Sequence, residues 1–254
     1  MMDNIGRAPG PVLRSGARLE RKYFVPADRI AQAAAMLSHS CRPDPQFPFG
    51  LVQSIYYDTS DLELFYQSID GIRHRNKIRI RWYDKPDSRY ATTYVEVKAK
   101  DGMAGRKARM QLQVEVSRLI NPSIAGPIAY DQLCKVLLAL GFLPARRIYP
   151  VIMIRYIRSR FVEIATGMRV SLDRQIESRL IAPRDAFVCN RVTLSGAVLE
   201  LKGTGMELPP TLYWLLQMQA NWTRYSKYAA CLEAHMAEPG QVGNSMPSGR
   251  IDRG

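Results

Sequence analysis

Histidine is scarce, with only three in 254 residues. His39, His74 and His235 fall at no metal-ligand spacing, which argues against a histidine-built metal or catalytic centre. The four cysteines, Cys41, Cys134, Cys189 and Cys231, stand far apart with no Cys-x-x-Cys pair. They read as reduced packing residues rather than zinc ligands or a disulfide framework. Long apolar runs are missing too: no stretch approaches the roughly eighteen residues of a membrane span, and residues 1–16 lack the apolar core of a signal peptide. A cytoplasmic protein is expected. Negative charge is the largest deficit, with 23 Asp and Glu against 36 Lys and Arg, a formal charge of +13. An anionic partner follows, although composition alone does not separate nucleic acid, an anionic membrane surface and a phosphorylated small molecule.

A hydrophobic content of 46% suffices for a full core, and a single domain over residues 17–236 is expected. The flanking tails, 1–16 and 237–254, are rich in Gly, Pro, Ser and Arg and too polar to build a core. Strands are predicted over 18–25, 51–58, 77–82, 92–100, 106–116, 149–164, 169–175 and 197–202 from β-branched and aromatic content and period-two alternation. Helices are predicted from Pro26 to Ser38 with Asp28 as a cap, to about Ser68 behind a Thr59-Ser60-Asp61 cap, over 128–140 ending at Gly141, and over 209–219 and 226–236.

The strands carry an unusual alternation. Lys77, Arg79 and Arg81 share one face while Ile78, Ile80 and Trp82 share the other, and cations recur on the polar face at Lys22, Lys98, Lys107, Arg109, Arg158, Arg160, Arg169 and Lys202. An ordinary wet sheet face mixes signs. Two like charges about 6 Å apart repel by roughly 3 kcal/mol at an effective dielectric near 20. Concentrating so many on neighbouring strands therefore calls for a polyanion. Closing the sheet would turn this face inward as a basic tunnel, where Arg forks and Lys point charges suit a linear chain of phosphates. Three carboxylates stand two residues before a lysine on the same face: Glu20 before Lys22, Glu96 before Lys98, Glu200 before Lys202. Each either neutralises its neighbour or offers a hard oxygen donor to Mg²⁺ or Mn²⁺, with Glu200 the better ligand candidate.

The ordered segments Arg18-Leu19-Glu20-Arg21-Lys22-Tyr23, Lys77-Ile78-Arg79-Ile80-Arg81-Trp82-Tyr83, Glu96-Val97-Lys98, Arg169-Val170-Ser171-Leu172-Asp173, Leu199-Glu200-Leu201-Lys202 and Ser226-Lys227-Tyr228 resemble the vacuolar transporter chaperone (VTC) domain over about residues 18–232. The resemblance implies an α+β fold of the triphosphate tunnel metalloenzymes: a closed antiparallel eight-stranded β-tunnel with helices packed on the outside. It further implies an ATP-dependent polyphosphate polymerase supported by Mn²⁺ or Mg²⁺, with ATP, pyrophosphate and polyphosphate as partners. Arg79, Arg81, Lys98 and Arg169 are then expected to act on the transferring phosphate. Lys22, Lys107, Arg109, Arg158, Lys202, Arg224 and Lys227 are expected to hold the rest of the chain, and Glu200, with Glu96 and Glu20, the metal. Arg224 stands where the family has Lys, which keeps the charge and alters the hydrogen-bond geometry.

Eukaryotic polymerases of the family join this domain to an inositol-phosphate-sensing module and a membrane domain. Neither is in this sequence, so a separate membrane protein is the expected partner for any export, holding the protein at the inner face of a membrane. Two alternatives stay open: a tripolyphosphatase or nucleoside triphosphatase of the same fold, and a polyphosphate binder without catalysis. Nucleic acid is not expected, because the cations alternate within strands rather than lining an exposed basic helix, and Trp82 falls opposite them.

Overall fold

The computed structural model describes residues 19–84, 88–102, 104–181, 191–203, 207–218 and 225–237. The expected tail 1–16, residues 238–254 of the other tail, Cys189 and Arg224 lie outside the described residues.

In chain order the elements are β1 (Leu19–Val25), α1 (Ile30–Ser40), β2 (Cys41–Pro43), β3 (Phe49–Thr59), α2 (Glu63–Ile69), β4 (His74–Tyr83), β5 (Tyr90–Asp101), β6 (Ala104–Glu115), α3 (Val116–Ile120), α4 (Tyr130–Ala139), β7 (Ile148–Glu163), β8 (Arg169–Leu180), β9 (Arg191–Leu194), β10 (Ala197–Gly203), α5 (Trp214–Gln217) and α6 (Lys227–Met236). The strands of the described residues belong to one antiparallel sheet ordered β1-β10-β8-β7-β3-β4-β5-β6, with β2 on β7 and β9 on β8.

The sheet curls. β1 and β5 stand six steps apart in this order, about 29 Å in a flat sheet at about 4.8 Å per step. Yet Lys98 Nζ on β5 reaches Glu20 Oε2 on β1 at 3.1 Å, so the two flanks face each other across a concave interior. Among the described residues β1 and β6 share no ladder, which corrects the expected closed eight-stranded tunnel. Eight strands form the curved path, two more pair on its margin, and side chains rather than backbone hydrogen bonds span the gap.

Period-two alternation assigns the two faces. Outward, Tyr23, Val25, Val170, Leu172, Leu199 and Leu201 form a core with Leu37 of α1 and Trp214 and Leu215 of α5. Ile55, Ile78, Ile80, Trp82, Val95 and Val97 form a second with Leu133, Val136 and Leu137 of α4. A third cluster lies on the concave face, where Val52, Tyr56, Ile152, Ile154, Tyr156 and Val198 pack against Tyr228, Ala229, Cys231 and Leu232 of α6. The helices are thus outside the sheet with this exception: α6 fills one end of the concavity, where an external position was expected. A β-bulge on β8 permits the packing. Between Arg155/Glu177 and Ile157/Arg174, β8 carries one residue more than β7, and Gln175 takes φ 52° there. The extra residue resets the alternation, so that charged Asp173 and apolar Ile176 both turn inward.

Local corrections have clear causes. Asp28 lies in a short 3₁₀ turn ahead of α1 and caps nothing through its side chain. Thr59 does accept from Glu63 N at 2.9 Å, but Asp58 takes the next two amides, Leu64 N and Phe65 N, both at 2.8 Å, while Asp61 pairs with Arg146. The helix expected over 209–219 is a 3₁₀ turn over Pro210–Leu212 followed by the single turn of α5.

Candidate active site

The concave charges form two clusters joined by a bridge. In the first, Glu96 of β5 is buried, 2% exposed, because its register places it between Arg79 of β4 and Arg109 of β6. Arg79 contacts Glu96 Oε2 through Nη2 at 2.6 Å and Nε at 2.7 Å. Lys107 Nζ lies 2.7 Å from Oε1, and Arg81 stands behind at 3.9 Å. Burial opposes ionisation of this carboxyl, but Arg79, Arg81 and Lys107 outweigh it and hold it far below the usual carboxylate range. Tyrosine hydroxyls orient the guanidinium groups. Arg79 Nη1 donates to Tyr56 OH at 2.9 Å, and Arg81 donates to Ser54 Oγ at 3.1 Å and Tyr156 OH at 3.2 Å.

In the second cluster, Arg158 of β7 forms a fork with fully buried Asp173 of β8, Nε to Oδ1 at 2.6 Å and Nη2 to Oδ2 at 2.7 Å. The same Nη2 reaches Glu200 Oε2 of β10 at 3.0 Å. Lys227, in the first turn of α6, binds Asp173 Oδ2 at 2.6 Å, and Lys202 binds Glu200 Oε1 at 2.7 Å. Burial works against both acids, yet Lys227 and Arg158 lower Asp173, and Lys202, Arg158 and Lys22 hold Glu200 well below its usual value.

Glu20 and three lysines make the bridge. Glu20 accepts from Lys98 at 3.1 Å and pairs with Lys22 at 3.1 Å, and the charge of Glu200 acts on its carboxyl. Lys77 donates to Ser226 Oγ, the N-cap of α6, at 2.8 Å. It has no carboxylate partner among the described residues, and burial, then Lys22 and Lys98, push its pKa down to about 7.

The structure therefore brings together Lys22, Arg79, Arg81, Lys98, Lys107, Arg158, Lys202, Lys227, Glu20, Glu96 and Glu200. Arg109 shares their face, stacked 4.9 Å over the Tyr94 ring. Arg169, opposite Lys202 in register, sits exposed at the end of β8, outside the contact network of Arg79, Arg81 and Lys98. One expected pairing is wrong: Lys98 serves Glu20 rather than Glu96, because the curl brings β1 over β5 and leaves Glu96 to Arg79 and Lys107.

Sequence reasoning gave no role to Asp173, Tyr56 or Tyr156. Asp173 stands two residues beyond Ser171 on the polar parity of its strand, which was the available signal. The tyrosines occupy inward positions of strands that look uniformly apolar, which hid them.

A model of the VTC domain matches residues 17–236. The chain belongs to the VTC domain family. Among solved structures this VTC domain is similar to a candidate adenylate cyclase from Bacillus halodurans, at 16% identity over 83% of this chain and 94% of that chain, with a TM-score of 0.51. A second candidate adenylate cyclase, from Vibrio parahaemolyticus, is 16% identical over 87% of this chain and 99% of that chain, with a TM-score of 0.41. No curated protein matches significantly. Family and fold together identify a triphosphate tunnel fold, which implies a divalent metal.

Among the described residues no group of three or more His, Cys, Asp or Glu side chains is arranged to hold a metal ion. The Glu20 and Glu200 pair nevertheless fits: two hard oxygen donors stand close enough for the charge of Glu200 to act on Glu20, and like charges at such range favour a cation between them. Glu96 stands apart from this pair in the other cluster, between Arg79 and Lys107, and Glu20 and Glu200 would have to release their own cations to take a metal. Among the described residues no helix is long and apolar enough to cross a membrane.

Proposed function

We propose that this VTC domain is a polyphosphate polymerase, passing the terminal phosphate of ATP to a growing polyphosphate chain on the concave face of its sheet. The carrying observation is the charge imbalance there. In the charged clusters Glu20, Glu96, Asp173 and Glu200 are each already met by two or more cations, while Arg109, Arg160 and Arg169 remain on the same face and Lys77 would gain its proton beside an anion. A linear polyanion supplies the missing charge along the whole row, and its oxygens match the forks of Arg79, Arg81 and Arg158.

Phosphoryl transfer asks the protein chiefly for positioning and charge stabilisation. Arg79 and Arg81 are held in orientation by Tyr56, Tyr156 and Glu96, so they meet a phosphate without reorganising. Lys98 stands at the joint between the two flanks, where it reaches a phosphate by releasing Glu20. Asp173 positions Arg158 and Lys227. Glu20 and Glu200 would hold Mn²⁺ or Mg²⁺, which would supply positive charge to offset that of the phosphates. Arg169 and Lys202, at the strand ends, would hold the chain beyond the reacting phosphates. A membrane protein that receives the product is part of the same reading.

The test is incubation of the purified protein with ATP and Mn²⁺, with and without pyrophosphate, and separation of the products on a gel. Long chains are expected. Free phosphate alone would make the protein a triphosphatase, and no turnover would leave a binding protein, either result overturning the polymerase reading.

A further inference from the structure

Away from α6, the concave face ends in tyrosines. Tyr83 closes β4, and Tyr90 and Tyr94 lie on β5, all three on the inward parity of their strands. With Ser88, Ala91 and Thr92 they line a cavity of about 300 Å³. Tyr83 and Tyr90 are 39% and 50% exposed. Tyr83 and Tyr94 meet edge to face at 6.1 Å, and the Arg109 guanidinium covers Tyr94 from 4.9 Å. An exposed tyrosine on a strand is ordinary; three around a hollow beside a row of phosphate-binding cations form a platform of the kind that stacks nucleobases.

The spacing supports this assignment. Tyr94 pairs in register with Arg81, and Tyr83 lies four residues beyond Arg79, roughly 13 Å along the strand at about 3.3 Å per residue. That is about the reach of an extended nucleotide from its terminal phosphate to its base. The hollow offers ring faces and the hydroxyls of Ser88 and Thr92, but Thr92 Oγ1 is already engaged by Gln113 Nε2 at 3.0 Å, and Ser88 Oγ donates to the Tyr90 carbonyl. Little remains to distinguish one base edge from another.

We infer that Tyr83, Tyr90 and Tyr94 form a stacking site for the base of the nucleoside triphosphate donor, reading an aromatic face rather than a particular base. This rests on the proposed use of the concave face for triphosphates. The test is calorimetric binding of β,γ-imido-ATP, β,γ-imido-GTP and inorganic tripolyphosphate to the wild-type protein and to Tyr83→Ala, Tyr90→Ala, Tyr83→Phe and Tyr90→Phe, with thermal melting as a control on folding. The Ala variants are expected to lose about 5- to 20-fold for both nucleotides and to stay within about twofold for tripolyphosphate, and the Phe variants to keep wild-type values. Equal losses for nucleotide and tripolyphosphate, or no loss for nucleotide, would overturn the base site while leaving the phosphate reading intact. A wild-type protein that binds neither class would overturn that reading, and the base site with it.

Discussion

Lys77 of β4 and Ser226, the N-cap of α6, lie 2.8 Å apart, the side-chain nitrogen donating to the hydroxyl that caps the helix. The same hydroxyl accepts from Ala229 N at 3.3 Å. The lysine with no carboxylate partner among the described residues thus touches the helix start that carries Lys227 to Asp173. This contact makes the state of Lys77 visible in both stability and binding.

The pH dependence follows from its pKa. In the unfolded chain Lys77 keeps its proton up to about 10.5, and in the folded protein it gives it up near 7. Between these values the unfolded state binds more protons, so the contribution of Lys77 favours folding increasingly as pH rises from about 7 to about 10.5. A bound polyanion favours the ammonium and reverses the shift. Tripolyphosphate binding at pH 8 should therefore take up more protons in the wild-type protein than in Lys77→Met, measured by calorimetry in buffers of different ionisation enthalpy. Equal proton uptake in the two proteins would contradict the assignment.

Arg79→Ala should cost stability as well as activity, since it strips a buried carboxylate of its closest partner. A loss of about 3 kcal/mol is expected in urea denaturation. Adding Glu96→Gln should return a substantial part of it, because the uncompensated charge is then gone. Additive effects of the two changes would show that the pair is not coupled.

Lys98→Ala should leave the fold in place, because Lys98 is partly exposed and Glu20 keeps Lys22. Turnover should fall about 100- to 1000-fold, read in the product assay beside an unchanged melting temperature. Near-normal turnover would remove Lys98 from the site.

The Glu20 and Glu200 pair predicts where metal affinity resides. In a manganese titration followed by electron paramagnetic resonance, Glu200→Gln should weaken binding at least tenfold. Glu96→Gln should leave it nearly unchanged, since Glu96 lies in the other cluster with Arg79 and Lys107. The opposite ranking would place the metal in the other cluster.

Tyr228 donates to Asp58 Oδ2 at 2.5 Å, tying α6 to the carboxylate that also receives the Leu64 and Phe65 amides of α2. Burial raises the Asp58 pKa, so each hydrogen bond to its charged form matters. Tyr228→Phe should destabilise the protein by about 1–3 kcal/mol, measured by denaturant unfolding; an unchanged midpoint would mean that the contact carries no weight.

Much of this was legible in the sequence wherever a strand separates its two faces by charge. Lys77, Arg79 and Arg81 against Ile78, Ile80 and Trp82 fixed both the strand and its inward side, because a shift of one residue would bury the cations in the outer core. β2 and β9 were missed. They are three and four residues long, too short for alternation to register, and they exist as partners for the overhangs of β7 and β8. The position of α6 was hidden for another reason. Its apolar face meets inward residues such as Tyr56, Ile154 and Ile176, and the bulge at Gln175 shifts the alternation of β8 where a simple count would continue. The curl itself is a property of the whole sheet. No local pattern places Glu20 beside Lys98, so the pairing of Glu96 was misassigned to its nearest lysine in sequence.

The most direct measurement is a crystal structure of the protein with tripolyphosphate bound. Its phosphates are expected on the concave face, between Arg79, Arg81 and Lys98 on one flank and Arg158 on the other. Phosphate density confined to the outer surface, with the inward cations still paired only to Glu20, Glu96, Asp173 and Glu200, would contradict it.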